Sequence, residues 1–219
     1  MGTTRMARTR SGNREQEDGA QGNLAAELTI EFCSRVVPNL ALSRWLLTQG
    51  VDVGHVFNVA GPIAEHSVTI HRSSFELVED GARGAVRAVV HIARGDDAEA
   101  PVDLIAWTRE QPERVFQCLD AVEALGVDQI GNPASWFLGK PLAVHRRPLD
   151  WLRAGCIGIM IFDAGRVRAR MGCLPTRPKG YALAAESLVH GRALRRMLSP
   201  LPKGLHILVP AAQQQGNVA

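Results

Sequence analysis

The chain has 219 residues, 46% of them hydrophobic and 21% charged, with a formal net charge of +3. This is ordinary globular composition, long enough to bury a core as one domain, and it argues against both a disordered chain and a fibrous one. No run approaches the roughly 18 apolar residues of a membrane span, and no apolar stretch directly follows Arg5, Arg8, Arg10 and Arg14, so the expected setting is cytoplasmic, without a secretory signal.

Residues 1–22 are polar and Gly-rich without periodicity and read as a disordered arm. A helical segment over 23–50 follows. Asn23 is placed to cap a helix carrying Leu24, Leu28, Phe32 and Val36, and Pro38 interrupts it. Asn39 is placed to cap a second helix with Leu42, Trp45 and Leu46, which Gly50 ends. Residues 51–70 read as loops with one or two short strands.

From residue 72 to 210 the pattern is sheet and helices. Strands at 75–78 and 85–93 flank a Gly-bearing turn, which predicts a β-hairpin, and a strand at 102–108 would extend it to an antiparallel meander. Pro112 opens a predicted helix over 112–125, and a loop pinned by Trp136 and Phe137 follows.

The stretch 141–163 organises the rest: a short strand, a two-turn helix opened by Pro148 and closed by Gly155, and a buried strand at 157–162. Residues 165–171 alternate Arg166, Arg168 and Arg170 with Val167, Ala169 and Met171, the period of a strand. A last helix over 181–198 places Arg192, Arg195 and Arg196 on one face, and Gly191 suits a close backbone approach. A short strand over 206–209 and a loose tail at 211–219 complete the chain. The expectation is a single α+β domain over 23–210: a mixed, largely antiparallel sheet with packed helices and an N-terminal helical segment.

Charge is unevenly spread. Residues 140–204 hold thirteen Lys or Arg against three acids, whereas residues 1–139 hold twelve basic and nineteen acidic residues. Such a split suits either a basic face for phosphates or an acidic partner, or mutual attraction between the two halves. His145-Arg146-Arg147 adds to the two arginine rows. Joined into one strip, Arg146, Arg147, Arg166, Arg168, Arg170, Arg192, Arg195 and Arg196 are the candidate nucleic-acid contacts, of a sequence-independent kind.

Catalytic chemistry finds less support. Cys33, Cys118, Cys156 and Cys173 are scattered without Cys-x-x-Cys and read as buried, reduced thiols. There is no Gly-x-Ser-x-Gly, no phosphate-binding Gly loop and no His-x-x-x-His pair; Glu65, His66 and His71 form the nearest metal-like grouping. No metal and no cofactor is expected. Asp103 opens a strand where some metal-dependent nucleases hold a catalytic Asp, but no Asp/Glu-x-Lys follows. Asp163 is either a site residue at a strand end or a turn residue.

Two stretches, His145-Arg-Arg-Pro-Leu-Asp-Trp-Leu-Arg-Ala-Gly-Cys-x-Gly and Ala184-Ala-Glu-Ser-Leu-Val-His-Gly-Arg-Ala-Leu-Arg-Arg-Met-Leu, preceded by Val102-Asp-Leu-Ile-Ala-Trp, carry a resemblance. Over roughly 72–209 the chain resembles an uncharacterised group of bacterial proteins from phage-derived or mobile-element regions, near replication-type genes. The resemblance implies a DNA-related setting and supplies no catalytic residues. The expected function is therefore a non-enzymatic accessory protein that binds nucleic acid, or a replication-type protein, through its basic C-terminal half. The alternatives are a metal-dependent phosphodiesterase built on Asp103, Asp163 and His145, or a structural assembly subunit.

Overall fold

The computed structural model describes residues 9–36, 39–96, 100–174 and 181–210. Helix α1 (Thr9–Arg35) begins well before Asn23. Residues 9–22, expected as part of a structureless arm, are helical because Arg14, Glu15, Gln16, Glu17, Ala20 and Gln21 are good helix formers that outweigh the interspersed glycines. Asn23 therefore lies inside the helix. Residues 1–8 and the tail at 211–219 lie outside the described residues.

Helix α2 (Leu40–Thr48) is capped as expected, with the Asn39 side chain accepting the Leu42 N–H at 3.0 Å. Gly50, at φ +79°, turns the chain after it. A helix not expected from the pattern follows: α3 (Val53–Ala60), where Asp52 accepts the His55 N–H at 3.0 Å. Val56 and Ala60 are buried four residues apart.

Strands β1 (Ile63–His71), β2 (Ser74–Leu77), β3 (Val86–Arg94), β4 (Pro101–Trp107) and β5 (Val115–Gln117) form a closed barrel in the order β1-β2-β5-β4-β3. The predicted hairpin between β2 and β3 does not form. Residues 63–71, read as mostly loop, make one long strand that lies between them, pairing Val68 with Leu77 on one side and Ile63 with His91 on the other. Neither is there a helix over 112–125: β5 pairs antiparallel with β4, and its parallel contact with β2, Ser74 opposite Gln117, closes the barrel.

Strands β3 and β4 are buried on both faces over 88–93 and 103–107, which suits their mainly apolar sequence. Ala88, Val90, Ile92, Leu104, Ala106 and Phe116 gather around Phe32 of α1. The opposite faces, Val89, Ala93, Ile105 and Trp107, pack against α2, α3 and the later helix α5.

Beyond the barrel come β6 (Ala124–Leu125), α4 (Asp128–Gly131), a 3-10 segment (Pro133–Gly139), β7 (Leu142–Val144), α5 (Pro148–Arg153), β8 (Met160–Ile161), α6 (Ala164–Gly172), β9 (Ala182–Ala185), α7 (Leu188–Met197) and β10 (His206–Leu208). Strands β10, β9 and β7 form a parallel sheet in that order, and Val144 makes a further parallel bridge to Ile159. Strand β8 then pairs antiparallel with β6. The α+β class holds, as a barrel joined to a small parallel sheet.

Three local expectations are overturned here. The strand expected at 157–162 shrinks to β8, because Gly158 adopts φ +92° and Ile157 is 60% exposed. The alternating arginines at 165–171 lie on helix α6: Asp163 caps it by accepting the Arg166 N–H, and Val167 and Met171 are buried at helical spacing. The helix expected over 181–198 is split. Ala182–Ala185 is strand β9, paired with β7 and β10, and Ser187 caps the shorter α7. Gly191 does mark a close approach, since a Cβ there would stand 2.3 Å from Val209 Cγ1.

Candidate binding surface

One face of the parallel sheet, Leu142, Val144, Leu183, Ala185 and Ile207, shares a core with Val167 and Met171 of α6 and with Leu194 and Leu198 of α7. The two arginine-bearing helices are thus packed over the same core. Arg168 ties them together by donating to the Ser199 carbonyl just past α7. The helices dictate where each guanidinium goes, and they divide the candidate set.

Arg166 and Arg170 stand one helical turn apart and both turn toward Glu123, at the end of the barrel half. Arg170 binds Glu123 and also Asp96, and Arg166 lies 3.4 Å from Glu123 while donating to the Ala121 carbonyl at 2.6 Å. Arg147 forms a bidentate pair with Asp150 at 2.6 and 2.7 Å. These three cations are neutralised within the chain; Arg166 and Arg170 meet acids of the other half, whereas Arg147 pairs within its own half. Arg166 and Arg170 line an open cleft of about 820 Å³ together with Asp96, Glu123 and Asp128. Burial raises the pKa of Asp128.

The other five have no carboxylate partner for their guanidiniums among the described residues. Arg168 donates to Ser199 and Arg195 to the Ile207 carbonyl at 3.1 Å. Arg192 and Arg196 are exposed on α7, four residues apart, without a hydrogen bond or ion pair among the described residues. Arg146 is exposed after β7, near His190 at the start of α7. The ten residues of α7 span about 15 Å, with Arg146 at one end, Arg168 at the other, and Arg192 and Arg196 between.

Sequence reasoning missed the polar centre at the carboxyl ends of β7 and β9. Glu186 accepts the Arg146 N–H at 3.3 Å and lies 3.6 Å from His145 Nδ1, while its own N–H donates to His190 Nδ1 at 3.2 Å. His145 Nε2 meets the Ile157 carbonyl at 2.9 Å. Burial lowers the pKa of His190. His145 is thus held through Nε2 with Glu186 beside its Nδ1, and the group pins two strand ends and a loop. The cap motif Ser187-x-x-His190, hidden by reading 181–198 as one helix, was the signal for it.

The hydrolase residues are occupied one by one. Asp103 is 1% exposed, with Oδ1 accepting N–H groups of Leu104, Cys118 and Leu119 and Oδ2 that of Ala121. Asp163 is the cap of α6. Among the described residues no group of three or more His, Cys, Asp or Glu side chains could hold a metal ion. The cysteines are free, as expected, but Cys33 and Cys173 are exposed rather than buried. Burial pushes the Cys156 thiol up to about 12 and the Cys118 thiol up to about 11, which keeps both protonated. No helix among the described residues is long and apolar enough to cross a membrane.

Compared with known proteins, the chain matches no family model, no curated protein and no solved structure.

Proposed function

We propose that this chain is a non-enzymatic binding protein that engages an anionic macromolecule through α7 and the residues at its two ends. The observation that carries the reading is that, among the described residues, Arg192, Arg195 and Arg196 on α7, Arg146 near its start and Arg168 past its end have no carboxylate partners, while Arg147, Arg166 and Arg170 are neutralised. The hydrolase alternative gains no support, because Asp103 spends its carboxylate on four backbone N–H groups.

The test is binding of labelled 20-base-pair DNA, a 20-nucleotide RNA and polyglutamate across a salt series. Affinity for at least one polyanion falls steeply with salt, and an Arg168→Ala/Arg192→Ala/Arg196→Ala variant shows a log–log slope shallower by up to about three for duplex DNA. No binding of any probe at low salt overturns the reading.

A further inference from the structure

The outer face of α7 is not uniformly basic. Leu188 is 54% exposed, Val189 72% and Met197 48%, and Ala193 is exposed between the last two. At 100° per residue these positions sort into two neighbouring rows. Leu188, Arg192 and Arg196 make one, and Val189, Ala193 and Met197 the other. The inner face, His190, Gly191 and Leu194, is buried against the sheet. The helix is therefore amphipathic twice over: one face serves the core, and the opposite face is divided lengthwise into a mainly basic ridge and an apolar ridge.

A phosphate-tracking surface has no use for an exposed aliphatic ridge, because phosphates and sugars present little for it to bury. A protein contact does, since interfaces are enriched in Met and Arg and draw on buried apolar area. The two i, i+4 ridges leave between them the groove into which a ridge of another helix fits, with Ala193 lowering the apolar ridge at its middle. Arg192 and Arg196, without partners among the described residues, specify the charge of that helix.

We infer that the occupant of this face is an amphipathic helix of a partner protein, with an apolar stripe set on Val189, Ala193 and Met197 and a flanking row of Asp or Glu facing Arg192 and Arg196. This rests on the reading of α7 as the binding surface and replaces its unspecified anion with an acidic helix. The partner's carboxylates recur every three to four residues, so that successive ones meet successive guanidiniums.

The probe is a fluorescein-labelled, amidated 18-residue peptide with Leu at heptad a and d positions and Glu elsewhere, titrated with the full-length protein by anisotropy. Two surface variants are compared, each checked for an unchanged circular dichroism spectrum. Val189→Ser/Met197→Ser weakens binding about tenfold at every salt concentration, as expected for roughly one factor of ten per 1.4 kcal/mol of lost apolar contact. Arg192→Gln/Arg196→Gln weakens it by a similar factor and also flattens its salt dependence.

If the serine variant binds as the parent does while the glutamine variant loses binding, the helix inference fails and the anion reading stands. If the parent ignores the peptide but binds duplex DNA, the occupant is nucleic acid and the inference fails. If neither peptide nor polyanion binds, both readings fail together.

Discussion

Asp103 Oδ2 accepts the backbone N–H of Ala121 at 2.9 Å, across the turn that connects β5 to β6. With the Cys118 and Leu119 N–H groups held by Oδ1, the carboxylate replaces hydrogen bonds that a helix over 112–125 would have made internally. Burial raises the pKa of Asp103, and the four donors offset only part of that rise. Asp103→Ala orphans buried donors and costs about 3 kcal/mol or more, and Asp103→Asn, which keeps one acceptor, costs about 2 kcal/mol. Urea denaturation of the two variants checks the order. A catalytic role would instead leave stability intact.

Phe32 is fully buried where α1 meets the barrel interior. Phe32→Ala leaves a cavity among Val90, Leu104 and Phe116 and lowers stability by about 3–5 kcal/mol. Amide exchange along α1 accelerates more than exchange in β9, because the lost anchor belongs to the barrel half.

His91 is 0% exposed, and burial pushes its pKa down to about 4 from 6.5, against a weaker opposing bond to the Ile92 carbonyl. The fold therefore requires the neutral ring. Below pH 6.5 the unfolded chain takes up a proton that the folded chain refuses, so this contribution is complete above 6.5 and lost as pH falls toward 4. The loss is about 3 kcal/mol. His66 and His190 are shifted in the same direction, also by burial first. Melting temperature between pH 7 and 4.5 falls less steeply in a His91→Phe variant than in the parent.

Glu123 holds both Arg166 and Arg170. Glu123→Gln frees positive charge on the helix beside α7. Its binding to labelled duplex DNA at low salt tightens, and the salt slope steepens by about one. An unchanged slope would mean that α6 takes no part in the field felt by an anionic partner.

Gly191 faces Val209 so closely that a methyl group would stand 2.3 Å from Val209 Cγ1. Gly191→Ala destabilises by about 1–3 kcal/mol through overpacking, and Val209→Ala restores most of that loss in the double variant. Chemical denaturation of all four combinations measures the coupling.

Helix α2 and the two-turn α5 were legible because their signals are local: Asn39 before Leu42, Pro148 at a first turn and Gly155 past the end. What the sequence concealed depends on distant partners. Four residues, Ala182–Ala185, read as helix on propensity and become a strand only because β7 and β10 flank them. Arg166, Arg168 and Arg170 alternate with smaller residues like a strand, yet the burial of Val167 and Met171 four apart decides for helix. The arginine surface was legible as composition. Which arginines are neutralised was not, because Glu123 and Asp96 lie 47 and 74 residues away from Arg170 in the chain. The turn residues 118–121 needed the Asp103 carboxylate, a contact that no periodicity encodes.

Val89, Ile105 and Trp107 on the barrel share one core with Leu149, Trp151 and Leu152 on α5. That shared core joins the barrel to α5, which follows directly on β7 of the parallel sheet, and so predicts that barrel and sheet unfold as a single cooperative unit. Cutting the chain between them strips a wall of aliphatic and indole surface that water then meets on both fragments. Heating accordingly melts barrel and sheet in one transition, and a fragment ending before Pro148 would be prone to aggregate rather than persist as a free-standing barrel.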